Sequence, residues 1–458
     1  MIENDAFKLL LINLFHLNPD DITNIVCTTF NKMMVLLVTL ADKHQACPYC
    51  GFTAPKIKEY VTKEITHSAL TTQKCIIKYR ARRYKCPCCG KTYYEFNPFV
   101  FKSQKISILT VHNILKDLKD FNETFTSVAR RYHVSPTSVS TIFDNHVDIG
   151  RNPLPEIINF DEVYAFKSEK SKYVCVLLDF KKQIPVDVLP NRKKEYLLNY
   201  FQKIPLEERK KVKYACSDMY EVYRDVVHKV FPEAKHLLDY FHLSQDFHKK
   251  MNEVRIKVMK GYKDNKASDE YYLLKKFNWL LFKNPEDEDK HGRLFDVERE
   301  RKYNSHFKSY MNYYDLRKKL LDINNDLTIC YSLKLELVDF YSKSTIDNAK
   351  VNLENLIRSC IDTNIDEMIA FSNNLINWKQ EIINSFTIVG TEYKVEADKG
   401  QVVVCNKKVN NAIIENRNKI IKCIKNNANG YTNWSRFRNR VMYVLDPNTT
   451  FSLEPREK

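Results

Sequence analysis

Two cysteine pairs and a scattered set of carboxylates are the residues here whose types and spacing suit metal chemistry. Cys47-Pro48-Tyr49-Cys50-Gly51 and Cys86-Pro87-Cys88-Cys89-Gly90 repeat one pattern. Such a turn points two thiolates at one tetrahedral ion, and its glycine admits the tight backbone. Cys47, Cys50, Cys86 and Cys89 are therefore candidate ligands of a structural Zn²⁺, since four cysteines leave no coordination position open. Cys88 lies inside the second knuckle, but the symmetry of the two motifs favours Cys86 and Cys89.

The carboxylates stand at the ends of apolar runs. Asp161 follows Ile157-Ile158-Asn159-Phe160, where a buried charge is costly unless it meets a cation. Glu162 points to the other face of the same strand. Asp218 ends the run Val212 to Ser217 immediately before a helix, and Asp239-Tyr240-Phe241-His242 follows Ala234 to Leu238. Two strand-end aspartates in one α/β unit can hold Mg²⁺ or Mn²⁺ between them. His242 could orient a phosphate or an aspartate, or could serve as a hydrogen-bonded structural histidine. Helical spacing places Asn411, Glu415, Asn418 and Lys422 on one polar stripe, with isoleucines on the remainder. Glu415 could ligate a metal while Lys422 grips a nucleic-acid backbone; by itself the stripe is also what an exposed amphipathic helix shows.

The elements that must position these groups fall in sequence order. Residues 1–100 read as a small β-rich module carrying the knuckles, and residues 101–150 as short helices. Residues 151–242 alternate strands and helices, with strands expected at Ile157–Asp161, Tyr173–Asp179, Val186–Leu189, Val212–Ser217 and His236–Asp239. The first three have connections too short for helical crossovers and are expected to form an antiparallel meander. Residues 243–400 read as helical, with amphipathic stretches at Tyr271–Phe282 and Tyr314–Tyr341, and a final helix begins near Val409.

Composition names the partner class. With 73 Lys plus Arg against 57 Asp plus Glu, the formal charge of +16 favours a polyanion through counterion release. No run of eighteen apolar residues and no signal-peptide pattern is present, so membrane function is not expected and a cytoplasmic protein is. The 13 cysteines suit thiols and metal ligands better than disulfides in that compartment. Lys78, Arg80 and Arg82 share one face of a strand by period two and are candidate phosphate contacts. The segment Phe125 to Phe143 has helix-turn-helix spacing: Val128 and Ala129 pack the first helix, Val134 plugs the turn, Ser135 caps the second helix, and Val139 and Ile142 face inward. Thr137, Ser138 and Ser140 would then face a groove while Arg130 and Arg131 meet phosphates.

At these residues the chain resembles the transposases of the ISL-three insertion-sequence family. The likeness runs from Cys47 to about Tyr443 and lies in the shared order of motifs: doubled knuckles, helix-turn-helix, Phe160-Asp161-Glu162, Ser217-Asp218-Met219-Tyr220, Asp239-x-x-His242, then Glu415-Asn416-Arg417-Asn418-Lys419 and Gly430-Tyr431-Thr432-Asn433-Trp434. The resemblance implies a multidomain α+β protein with a zinc-ribbon module over 1–100 and a helix-turn-helix over 101–150. It further implies a ribonuclease H-like α/β core over 151–242, interrupted by a long all-α insertion over 243–400 and resumed over 401–458. Asp161, Asp218 and Glu415 become the metal-binding triad, Asp239 and His242 an accessory pair, and Lys422 a DNA contact. Tyr240 departs from a common arginine, and Asn426 and Asn427 from a frequently basic pair.

The implied activity is DNA strand cleavage and transfer at the terminal repeats of an element, by phosphoryl transfer with two metal ions. Its partners would be double-stranded DNA at the element ends and the target, with a homodimer on paired ends in a bacterial, nucleoid-associated setting. A silent DNA-binding regulator and a structure-specific nuclease are the alternatives.

Overall fold

A computed structural model describes residues 2–43, 46–70, 72–101, 104–166, 171–395 and 402–456. It shows a mixed α+β chain with several separate hydrophobic cores. Helix α1 (Ile2–Leu14) leads into strands β1 (Ile22–Phe30), β2 (Met33–Leu40), β3 (Lys56–Thr66), β4 (Cys75–Lys85) and β5 (Thr92–Tyr94). The sheet order is β1-β2-β4-β3, with β5 on the end of β4, so β4 is an inner strand along most of its length. Alternate residues Cys75, Ile77, Tyr79 and Ala81 are buried in a core shared with Leu11, Ile12 and Phe15 of α1, as period two requires.

Helices α2 (Ile108–Asp117), α3 (Phe125–Arg131) and α4 (Pro136–His146) follow. Thr124 and Ser127 make a reciprocal capping box on α3, and Ser135 accepts from the Ser138 N–H to cap α4 with Pro136 in its first turn. Val128, Ala129, Val139, Ile142 and Phe143 close a small core that also takes Tyr443 from the far end of the chain.

The central sheet consists of β6 (Ile157–Val163), β7 (Val174–Asp179), β8 (Pro185–Leu189), β9 (Tyr214–Ser217) and β10 (Lys235–Leu238), in the order β10-β9-β6-β7-β8. β6, β7 and β8 form the antiparallel meander that their short connections demand, while β9 and β10 join parallel to β6 and β9. On one face Ile158, Phe160, Cys175 and Leu177 pack against α5 (Lys194–Gln202) and α7 (Glu221–Val230); the short α6 (Leu206–Arg209) lies between these two helices in sequence. The other face, with Val163, Val174, Val176 and Leu178, is covered by helices from the end of the chain.

A helical body follows: α8 (Tyr240–Lys260), α9 (Asp269–Lys276), α10 (Tyr313–Leu321), α11 (Asn325–Lys343), α12 (Ala349–Asp362), α13 (Asp366–Asn377) and α14 (Lys379–Asn384). Its core is continuous, from Leu243 and Phe247 to Trp378 and Ile382. The region is less uniformly helical than its periodicity suggests. Short two-stranded ribbons pair β11 (Glu288–Asp289) with β12 (Gly292–Arg293) and β13 (Lys302–Asn304) with β14 (Ser309–Met311), and β15 (Ile388–Val395) pairs with β16 (Val402–Lys408). The amphipathic 314–341 stretch forms two helices, because Asn324 caps a new start at Asn325. The helix expected near Val409 begins at Ala412 as α15 (Ala412–Asn427), and a further helix, α16 (Trp434–Leu445), succeeds it. No helix among the described residues is long and apolar enough to cross a membrane.

Candidate active site

Asp161 lies within β6, on the face that α15 covers, because its parity matches Asn159 and Val163. Three asparagines tie α15 to this strand. Asn159 Nδ2 donates to Asn411 Oδ1 (2.7 Å), Asn411 Nδ2 to the Phe160 carbonyl (3.3 Å), and Asn418 Nδ2 to Asp161 Oδ2 (2.7 Å). The stripe Asn411, Glu415, Asn418 thus faces inward, and Lys422 leaves the protein surface at its far end. Asn411 and Asn418 are structural partners that sequence reasoning placed on the stripe without giving them a task.

Asp218 follows β9 and Asp239 follows β10, so parallel neighbours deliver the two carboxylates to one end of the sheet. Asp239 is 3% exposed at the start of α8. One turn into that helix, His242 Nε2 lies 3.9 Å from Asp239 Oδ2. Ligand atoms of Asp239, His242 and Glu415 all fall within 4.8 Å of one another. Asp161 and Asp218 are not part of that tight trio, but they are within electrostatic reach: both Asp218 and Glu415 act on the Asp161 carboxyl.

The electrostatics are those of a site short of positive charge. Burial first, and then the Asp218, Glu162 and Glu415 carboxylates, push Asp161 up to about 7. Burial likewise raises Asp218 and Asp239, opposed most strongly by His242 in each case. Asp218 Oδ1 and His242 Nε2 are buried without a hydrogen-bond partner, an expensive arrangement for polar atoms unless something binds them. A divalent cation suits this donor set: hard carboxylate oxygens, one imidazole, and an unmet demand for charge. An open cleft of about 650 Å³, lined by Asp239, Tyr240, Tyr341, Lys408 and Glu415 among others, adjoins the group.

Glu162 lies on the opposite face, held by Arg192 and by the Tyr223 hydroxyl (3.2 Å). Arg192 in turn sits over the Tyr173 and Tyr220 rings. No local pattern in the sequence marked this pair.

The cysteine knuckles are copies of each other. In each, the glycine N–H donates to the first cysteine's carbonyl at 2.9 Å, with Gly51 at φ +74° and Gly90 at φ +69°. Cys47 Sγ is 3.7 Å from Cys89 Sγ and Cys50 Sγ 3.5 Å from Cys86 Sγ. A tetrahedral ion with ordinary Zn–S bonds needs sulfurs about 3.8 Å apart, so the quartet fits zinc as it stands. Bonds from the Cys89 and Cys88 backbone, with the thiols around it, lower Cys86 to about 7, whereas burial and the neighbouring thiols raise Cys50 and Cys89, so an ion would be needed to bring the whole quartet to thiolates. Cys88 is exposed and stands outside the quartet.

The nucleic-acid candidates divide. Lys78 pairs with Glu64 at 2.7 Å, and Arg82 is engaged by Glu95 at 2.7 Å and by the Leu40 carbonyl; Arg80 stays exposed against the Tyr60 ring. Arg131 is held by Asp117 and Glu123, whereas Arg130 is exposed. On α4, Thr137 is exposed and Ser138 half-exposed, but Ser140 is buried and its hydroxyl donates to the Thr137 carbonyl. Ser140 lies one turn before Phe143, on the core side of the helix, so the expectation that it faces a groove is corrected. Thr141, one turn on from Thr137, is the exposed residue the sequence reading passed over.

Comparison with known proteins gives the class. A family model described as transposase, of the DDE type and the ISL3 group, matches residues 158–397. The chain belongs to this family of insertion-sequence transposases. It is also similar to the transposase for insertion sequence element IS1001 of Bordetella parapertussis, 19% identical over 408 residues that cover 89% of this chain and 90% of the relative. Family membership carries metal-dependent nuclease or transferase chemistry in general; the matched span includes Asp161, Asp218, Asp239 and His242 but stops before Glu415.

Proposed function

We propose that the protein cuts DNA at the terminal repeats of its own insertion sequence and joins the cut ends to target DNA, with Asp161, Asp218 and Glu415 as the metal-binding carboxylates. The observation that carries this reading is the convergence of Asp161, Asp218, Asp239, His242 and Glu415 at one end of the central sheet, with polar atoms of Asp218 and His242 left unpartnered. The strand order, three antiparallel strands followed by two parallel ones, supports a ribonuclease H-like core. Bound Mg²⁺ or Mn²⁺ would supply Lewis acidity at the scissile phosphate.

The chain's own residues do the rest. Asn418 Nδ2 donates to Asp161 Oδ2 and the Glu162 backbone N–H donates to Asp161 Oδ1, each at 2.7 Å, so the carboxylate plane is fixed through both oxygens, whose remaining lone pairs would face a cation. His242 Nε2 lies 3.9 Å from Asp239 Oδ2, without a hydrogen bond to it, and opposes the rise of both Asp218 and Asp239. Exposed Lys422 on α15, with Arg130, Thr137 and Ser138 on the helical hairpin and Arg80 on β4, would track duplex DNA. Zinc in the cysteine quartet would hold the N-terminal module rigid for that purpose. Two copies on paired ends form the working complex in this reading.

The test is incubation with Mg²⁺ and DNA bearing the element's ends, beside the Glu415→Gln variant. Nicking and end joining by the unaltered chain, reduced on the order of 10³-fold in the variant, is the expected result. Binding without any cutting would instead indicate a DNA-binding regulator, and cutting without joining a nuclease.

A further inference from the structure

A third cluster, remote from the cysteines and distinct from the carboxylate site, joins the central sheet to the helical body. His228 lies near the end of α7, His236 on β10 and Glu381 on α14, and ligand atoms of the three lie within 4.8 Å of one another. His228 Nε2 is 3.9 Å from Glu381 Oε1. His236 is 1% exposed and Glu381 5%, while the His228 side chain is 55% exposed, so the cluster is buried on one side and open to solvent on the other.

The state of His236 is fixed by its neighbours. Ser217 Oγ donates to the Asp218 carbonyl at 2.9 Å, so it accepts from His236 Nε2, also at 2.9 Å. The imidazole proton is therefore on Nε2, and Nδ1 presents a bare lone pair that has no hydrogen-bond partner despite its burial. Burial holds the imidazole down at about 3, so that lone pair is not protonated in neutral solution. A ring that donates from one nitrogen to a neighbouring oxygen and leaves the other bare is arranged as metal-ligating histidines are. Arg224, whose charge acts on this ring, is engaged by the Trp378 ring and the Asn377 carbonyl.

We propose that His228 Nε2, His236 Nδ1 and Glu381 form a Zn²⁺ site that clasps α7 and β10 to α14. Two imidazoles and a carboxylate suit zinc, and water on the open side completes four ligands. Ligand atoms around tetrahedral zinc lie about 3.3 Å apart, so closure asks for movements of an ångström or so, which the exposed His228 side chain can make. The clasp acts on the sheet where it matters: His236 precedes Asp239 on the same strand end, and the serine that fixes its tautomer adjoins Asp218. Asn384 of α14 already donates to the His236 carbonyl at 2.9 Å, along the same seam.

Zinc content of the full chain tests this. To quiet the carboxylate site, the Glu415→Gln chain is loaded with ZnCl₂, dialysed and measured by elemental mass spectrometry, with and without His228→Ala. Two zinc ions per chain, falling to one with His228→Ala, is the expected result; Co²⁺ loading should lose a d–d band and keep the thiolate charge-transfer band of the cysteines. Melting of the two metal-free chains should coincide, because His228 is a surface residue, and should diverge when zinc is added. If metal-free melting falls, Glu381→Gln replaces His228→Ala with the same readout. Equal zinc content with and without these substitutions overturns the assignment, whatever the outcome for DNA cleavage.

Discussion

The cysteine quartet and the carboxylate site solve the same problem, gathering ligands for a cation, in opposite ways. The quartet comes from two short knuckles on neighbouring parts of one small module, each fixed by its own backbone bonds, and its sulfurs already stand at zinc-binding separation. The carboxylate site is assembled from strand ends of the central sheet and from α15, with Asn418 reaching Asp161 across 257 residues of sequence. Its members repel one another, and burial raises the pKa of Asp161, Asp218 and Asp239. A closed structural site can be preorganised without its ion; an open site for hard cations stores the repulsion that a bound metal relieves.

That contrast can be broken by substitution. Cys86→Ser should have the largest effect, abolishing the separate melting transition of the N-terminal module and its zinc, while the central sheet and helical body unfold as before. Calorimetry with and without a chelator checks it, and a simultaneous collapse of both transitions would show that the module is not independent.

At the carboxylate site the sign is reversed, since removing a ligand should stabilise the metal-free fold. Asp161 is raised to about 7, so its contribution to stability is complete below its unfolded value near 4 and is lost as pH rises through 7. Asp161→Asn should therefore stabilise the metal-free chain at pH 8 by about 1–3 kcal/mol and have little effect at pH 4. Denaturant melts at the two pH values measure this. Mg²⁺ should narrow the gap, because it favours the ionised form.

The smallest effect sharpens the comparison at its edge. Lys422 is on the same helix as Glu415 but is exposed, so Lys422→Ala should leave stability unchanged and lower the dependence of log DNA affinity on log salt by about 0.9. Binding isotherms at several salt concentrations read that slope.

The same contrast explains what the sequence disclosed. The cysteine turns were legible because their geometry is local. The strands of the central sheet were legible because apolar runs such as Ile157–Phe160 and Val174–Leu178 end at polar residues, and Asp161 was separable from Glu162 by parity alone. Glu415 needed the order of motifs along the whole chain, since an amphipathic helix with one glutamate has no local mark. The ribbons around 288–311 escaped because their strands are short, polar and mostly exposed. Ser140 was misplaced because helix-turn-helix spacing does not reveal how closely the residue one turn before Phe143 is covered. The pairing of His228 and His236 with Glu381 depends on how α14 docks on the sheet, which no periodicity encodes.

The packing of α16 bears on how the molecule is made. Tyr443 donates to the Leu115 carbonyl, Arg440 reaches the carbonyls of Asp120 and Glu123, and Arg436 pairs with Asp144. These partners belong to α2, α4 and the segment between α2 and α3, among the earlier elements to leave the ribosome, whereas α16 is the last helix described. The early helices thus wait while the intervening chain is made, Leu115 and Tyr443 being 328 residues apart, for the residue that seals their core, and a chain released before α16 would keep the knuckles yet leave that core unsealed.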